Sequence, residues 1–367
     1  MNEAPGRMIL LGGKPFLFFS GYSYLGMSHV RDFTELLKEG IDLYGGLFPS
    51  SRISNTPLAL FGHLEHYLSQ LTGTGGTVTY ASGYLACQAV GHLLGEFPQI
   101  LVAPGMHPAS GLEATEEPVG VDPRSGTFEA FEAWSRWVVE YVRNSTHDHF
   151  VLAAPSVDPL TGVVFNFVFL QDLPRKKRFT VLIDDSHGIG WRGEHGEGIA
   201  SSLMNLSHVE YLLVYSMAKA LHIQGGAVSG PPAWAERLRQ SSFYSASTPM
   251  GPAWAHTLLQ AGPLYEVQRT RLGHNMVLMN RLLEKALVEE DPAGVLLEPT
   301  ALPILLCKGK GLGAYLEQRG ILISSFAYPD PQGARVERVI LSALHEARDL
   351  DALVRACNVF PYSATNR

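Results

Sequence analysis

The chain has 367 residues, 46% of them hydrophobic and 17% charged, the balance of a folded globular protein with one large and one smaller domain, not of a disordered chain. Its 28 basic and 35 acidic residues leave a formal net charge of −7. The longest like-charge block, Arg175-Lys176-Lys177-Arg178, reads as a solvated turn, and nothing predicts a nucleic-acid surface.

Cys87, Cys307 and Cys357 lie far apart, with neither a disulfide framework nor metal-ligand spacing, and point to a reducing cytoplasm. In chain order, the N-terminal stretch is broken by Gly12-Gly13-Lys14-Pro15 before any apolar run reaches signal-peptide or membrane length. From about residue 62 to 262, apolar runs alternate with helical segments, the pattern of a mostly parallel sheet covered by helices. The predicted strands are TVTYAS (77–82), QILVAPG (99–105), HFVLAAPS (149–156), FTVLIDDS (179–186), YLLVYS (211–216) and GAVSG (226–230). Between them, residues 127–144 form an amphipathic helix with Phe128, Phe131, Trp134, Val138, Tyr141 and Val142 near helical spacing. A long helical stretch follows from Gly251 to Leu287. Beyond it, ALPILLCKG, GLGAYLEQRG, ILISSF, ERVILSALHE and DLDALVRACN predict a small α+β unit. The expected division is an N-terminal segment, 1–50, packing with the small domain; a large domain, 51–262; and a small C-terminal domain, 263–367.

Ligands of open α/β sheets bind outside the carboxyl ends of the strands, so the strand ends carry the functional reading. One ends in Tyr80-Ala81-Ser82-Gly83-Tyr84 and turns into a helix, whose first N–H groups face an anion. A second ends near His107, a loop histidine that could stack on a flat ring. A third ends in Asp184-Asp185-Ser186-His187, a carboxylate followed three residues later by an imidazole. This can hold a pyridinium proton and a phenolic oxygen, but it also reads as a capped turn. A metal site from Asp184, Asp185, His187 and His195 is a rival, although no established ligand spacing is present. The fourth ends in Ser216-Met217-Ala218-Lys219. Its lysine is either a snorkelling side chain or a partly desolvated amine able to attack a carbonyl. An anion cradle, a ring contact, a carboxylate with a histidine, and a lysine match the parts of pyridoxal 5′-phosphate.

The ordered set of motifs resembles the α-oxoamine synthase family of fold-type I pyridoxal-phosphate enzymes, from Tyr24-Leu25-Gly26 through Ser342-Ala343-Leu344-His345. That resemblance implies an α/β fold with a large cofactor-binding domain and a small α+β C-terminal domain. It implies Lys219 as the Schiff-base lysine, Ser216 with Ser82, Gly83 and Tyr84 as phosphate ligands, and Asp184 on the pyridine nitrogen. His187 would pair with the ring oxygen, His107 would stack on the ring, and Arg338 would hold a substrate carboxylate. The glycine-rich segment Gly190–Gly198 also resembles one in the family. The implied activity is condensation of an amino acid with an acyl thioester, on coenzyme A or an acyl carrier, by a cytoplasmic homodimer without membrane or nucleic-acid partners. An aminotransferase or another pyridoxal enzyme on the same scaffold, and a non-catalytic binding protein, are the alternatives. The chain departs from the family pattern at Tyr22, Phe61, Cys87, Pro155 and Ala246, which predicts altered substrate-side contacts.

Overall fold

In the computed structural model, which describes residues 4–327 and 335–361, four apolar runs become neighbouring parallel strands, ordered Ile100–Val102, His149–Pro155, Arg178–Asp184 and Val209–Ser216. Their side chains are buried at nearly every position, as expected where helices cover both faces. Gly226–Gly230 runs antiparallel to Val209–Ser216 and to the edge strand Gly76–Tyr80. This reversed strand returns the chain between the two strand ends, near Tyr80 and Ser216.

These strands belong to a large unit formed by Asp32–Asp158 and Val163–Gly262. Thr127 caps its helix Phe128–Asn144, accepting from the Ala130 amide at 3.3 Å. Phe131, Trp134, Val138 and Val142 form the buried stripe, whereas Phe128 is exposed. Phe131 stacks on Phe165 with ring centroids 4.4 Å apart. Each such side chain contributes ~1.5–3 kcal/mol of burial.

Helix Ala59–Leu71 is fastened to Gly76–Tyr80 by Glu65. Its buried carboxylate accepts from Arg52 at 2.8 Å, from Arg239 at 2.9 Å, and from the Thr79 amide and hydroxyl at 2.9 and 3.0 Å. The Arg52 guanidinium also lies 4.6 and 4.7 Å from the ring centroids of Phe61 and Tyr244.

The small unit comprises Met1–Arg31, Pro159–Gly162 and Pro263–Arg367 over their described residues. The N-terminal boundary therefore falls after Arg31 instead of residue 50, because helix Arg31–Tyr44 packs within the large unit. A Cβ on its Gly40 would sit 2.8 Å from the Ala253 carbonyl oxygen, a close approach that only glycine permits. The expected single helical stretch is two helices, Pro252–Gln260 and Gly262–Val288. Pro263, in the first turn of the second helix, has no N–H with which to continue the first.

The six-stranded sheet of the small unit is ordered Met8–Leu11, Lys14–Phe19, Ile321–Ala327, Arg335–Ile340, Ile304–Cys307 and Leu297–Pro299. Gly12 and Gly13, both at positive φ, close its first hairpin. Lys14–Phe19 pairs in parallel with Ile321–Ala327, so the chain's beginning is built into the sheet formed near its end. Arg7 adds a two-pronged bond to Asp349, at 2.6 Å for each nitrogen. Among the described residues no helix is long and apolar enough to cross a membrane.

His345 locks this unit. Its Nδ1 accepts from the Ser342 amide at 3.1 Å, and Nε2 lies 3.0 Å from the Phe18 carbonyl, so the neutral tautomer with Nε2–H satisfies both partners. The ring stacks on Phe19 at 4.1 Å. Burial lowers its pKa from 6.5 to about 4, with opposition from the Phe18 hydrogen bond and Asp349.

Between those two pKa values the unfolded chain binds a proton that the folded chain refuses, so stability falls as pH drops through this window and is insensitive to the group above it. The full shift corresponds to ~3 kcal/mol. Thermal unfolding followed across the window is expected to show His345→Gln as less stable at neutral pH but less acid-sensitive than the wild type. Parallel pH profiles for the two proteins would refute this role.

Candidate active site

The carboxyl ends of the large unit's strands bring most of the sequence-predicted residues together. After Tyr80 the backbone stays extended at Ser82, whose side chain accepts from the Leu85 amide at 3.1 Å and so caps helix Gly83–Leu94. The first amides of a helix have no intrahelical acceptor, which leaves those of Gly83 and Tyr84 available to an anion. A Cβ on Gly83 would lie 2.5 Å from Ser216 Cβ, and one on Gly226 would lie 2.4 Å from Gly83 Cα. Two glycines thus allow the helix start to touch the end of the Ser216 strand. Gly226 pairs in register with both Tyr80 and Ser216, which explains why these two strand ends coincide.

The adjacent aspartates differ in environment. Asp184, half-buried at the end of its strand, accepts from the Ser186 amide at 3.0 Å. Asp185 is 1% exposed and faces the protein: Oδ1 accepts from Ser156 Oγ at 2.5 Å and Oδ2 from the Ile199 amide at 2.8 Å. Burial pushes its carboxyl up to about 7, against the pull of those hydrogen bonds. Ser186 Oγ accepts from the Ser216 amide at 2.9 Å, joining the Asp184 turn to the Ser216 strand end. His187 is half-buried, and its carbonyl accepts from Trp191 Nε1 at 2.6 Å. The following loop has positive φ at Gly190, Gly193, Gly196 and Gly198.

Lys219 lies beyond the strand in a tight loop closed by the Met217 amide donating to the Gly225 carbonyl at 3.0 Å. Met217, Ala220, Leu221 and Ile223 pack their side chains into the core, while Lys219 is half-buried. His222 adopts φ 55°, a left-handed conformation uncommon for a residue with a Cβ. The lysine also belongs to one electrostatic neighbourhood with His107, Asp184 and Cys87. Loss of solvent lowers the pKa of His107, although the residue is exposed; Asp184 opposes this and Lys219 lowers it further. His107 Nδ1 accepts from the Ala109 amide at 3.1 Å. Burial raises the Cys87 thiol, leaving it protonated within the core beneath the helix start.

Arg338 belongs to the small unit. Its buried guanidinium donates to the Pro159 carbonyl and sits 5.2 Å from the Phe326 ring centroid. Phe61 lines a separate cavity of about 310 Å³ with Phe48, Arg52, Pro57, Glu65 and Tyr244. Tyr22 is exposed in the small unit. Among the described residues no group of three or more His, Cys, Asp or Glu side chains could hold a metal ion. Sequence reading missed Asp185, Ser186 and Gly226 as determinants of this geometry; the consecutive acids and the Gly225-Gly226 pair were their only signals.

No family model matches the chain. An 8-amino-7-oxononanoate synthase from Aliivibrio fischeri is 26% identical over 364 residues, spanning 98% of this chain and 92% of that protein. The chain is thus similar to 8-amino-7-oxononanoate synthases over nearly its whole length. Solved structures extend the likeness to the fold. A lysine-to-alanine serine palmitoyltransferase from S. paucimobilis with bound PLP–myriocin aldimine matches with a TM-score of 0.76 at 16% identity, covering 98% of this chain and 90% of that one. An 8-amino-7-oxononanoate synthase from Francisella tularensis matches with a TM-score of 0.67 at 18% identity, covering 94% of this chain and 97% of that one. At such identities the shared property is the fold, and the side chains at the strand ends are this chain's own.

Proposed function

We propose that the protein is a pyridoxal-5′-phosphate-dependent acyltransferase that condenses an amino acid with an acyl thioester. The observation that carries this reading is the contact of Gly83 with Ser216, which sets helix amides and a serine at one place while Asp184 and Lys219 share an electrostatic neighbourhood. A Cβ at Gly83 or Gly226 would collide with Ser216 or with Gly83, so bare backbone brings the helix amides and the serine together, a donor set that suits a phosphate.

Ser82, Gly83, Tyr84 and Ser216 would bind the phosphate, and His107 would stack on the ring. Asp184 would hold the proton on the pyridine nitrogen, and His187 would orient the ring oxygen. When bound, pyridoxal phosphate supplies an electron sink for the pair left by breaking a bond at the substrate Cα. Lys219 Nζ would hold the carbonyl end and carry the proton to and from Cα. Arg338 would orient the substrate carboxylate through its planar fork.

A homodimer belongs to the same proposal. Ile41, Leu43, Leu47 and Ile53, close together in sequence, expose large apolar side chains, and the exposed turn around Ala246 is the segment proposed to reach a second copy.

Purified wild-type protein with pyridoxal phosphate is expected to show a visible absorption band that Lys219→Ala loses. Asp184→Asn should keep the cofactor and lose ~2–4 kcal/mol of transition-state stabilisation, about two or more decades in rate. Product analysis with an amino acid and an acyl thioester should yield the condensed ketone. Amino transfer to 2-oxo acids without condensation would instead establish an aminotransferase.

Arg338→Ala is expected to weaken amino-acid binding by ~2–5 kcal/mol while leaving decarboxylated amines little affected. Spectral titration with both ligand classes checks this, and equal losses for the two would remove Arg338 from carboxylate recognition. Sedimentation equilibrium should find a dimer at micromolar concentration, held by an interface of more than ~2,000 Å²; a cofactor-loaded, active monomer would overturn that assignment.

A further inference from the structure

Asp185 neighbours the residue proposed to meet the pyridine nitrogen but is itself turned into the protein. Its carboxylate oxygens accept from Ser156 Oγ, just past the strand His149–Pro155, and from the amide of Ile199, beyond the glycine-rich loop. Its own amide donates to the Val214 carbonyl on the strand at the other side, at 2.9 Å, and its carbonyl accepts from the Gly188 and Ile189 amides at 3.0 Å each. One residue therefore joins both adjacent strands to the start and the end of the same loop. Two glycines make room for it: a Cβ on Gly188 would lie 2.1 Å from Asp185 Oδ1, and one on Gly198 would lie 1.8 Å from Oδ2.

We infer that Asp185 is a positioning residue for the cofactor site, setting the direction of the Asp184 carboxylate and the His187 imidazole by holding both ends of the loop from 184 to 199. The carboxylate of Asp184 accepts from the Ser186 amide within the clamped turn, so its orientation follows the turn. Ser186 also accepts from the Ser216 amide, which passes the turn's position to the proposed phosphate end. Both side-chain partners of Asp185 are donors. An asparagine could still accept from Ile199 and donate to a rotated Ser156 hydroxyl, whereas alanine loses both bonds.

The inference rests on the proposed pyridoxal-phosphate reading, so the test includes a measurement on cofactor-free protein. Asp185→Ala, Asp185→Asn and Ser156→Ala are compared with the wild type by amide hydrogen exchange without cofactor, by the dissociation constant for pyridoxal phosphate, and by the pH midpoint of the visible band. In Asp185→Ala, exchange between Gly188 and Ile199 should rise and cofactor affinity should fall, each by about tenfold or more, and the midpoint should move. Asp185→Asn should recover most of these losses, and Ser156→Ala, which removes one of the two donors, should fall between them. If Asp185→Ala does not fold, Ser156→Ala against Asp185→Asn carries the same comparison. Lower thermal stability with unchanged affinity and midpoint would reduce Asp185 to a structural residue and overturn the inference. A wild type that takes up no cofactor would defeat the pyridoxal-phosphate reading and this inference together, whereas a loaded wild type with unaltered variants would defeat this inference alone.

Discussion

The near-contact of Gly226, Gly83 and Ser216 is the constraint on which the candidate site depends. The helix start at Gly83 meets the ends of two strands much later in the chain with no side chain between them, because a Cβ at either glycine would overlap its neighbour. Their meeting follows from the reversed strand Gly226–Gly230, whose register opposes Tyr80 on one side and Ser216 on the other. A parallel strand in that position would enter from the far edge of the sheet, and the loop carrying Lys219 would not return beside the helix start. Sheet direction therefore decides where an amine and an anion cradle lie.

Buried carboxylates perform a related task within each unit. Glu65 draws two arginines and a threonine onto the edge strand, Asp185 joins strand ends to a loop, and in the small unit Asp349 binds Arg7 from the start of the chain. Each accepts several donors and so ties together segments that lie apart in the sequence. The three carboxylates act as clamps, and the half-buried Asp184 differs from them in facing outward at a strand end. Exposure separates the carboxylate that can meet a ligand from those that hold the protein together.

The departures from the family pattern divide in a similar way. Cys87 packs in the core under the helix start, where a protonated thiol offers volume and weak polarity. Phe61 joins the ring pair around Arg52, so its loss of a polar group is compensated by packing within the large unit. Neither position is explained by substrate preference alone.

The chain's own sequence determined the alternation of strands and helices, the helix start at Ser82-Gly83, and the strand ends at Asp184 and Ser216. These features depend on residue periodicity and turn chemistry among near neighbours, which local steric rules encode. The same locality explains the error at the Gly251–Leu287 stretch, where a helical composition concealed a break beside Pro263. Only the tertiary structure decided which of two consecutive aspartates faces outward, because the partners that turn Asp185 inward lie 29 and 14 residues away along the chain. It likewise decided the reversed direction of Gly226–Gly230, whose short, small-residue sequence carries no preference for one orientation until both neighbouring strands are present to hydrogen-bond with it.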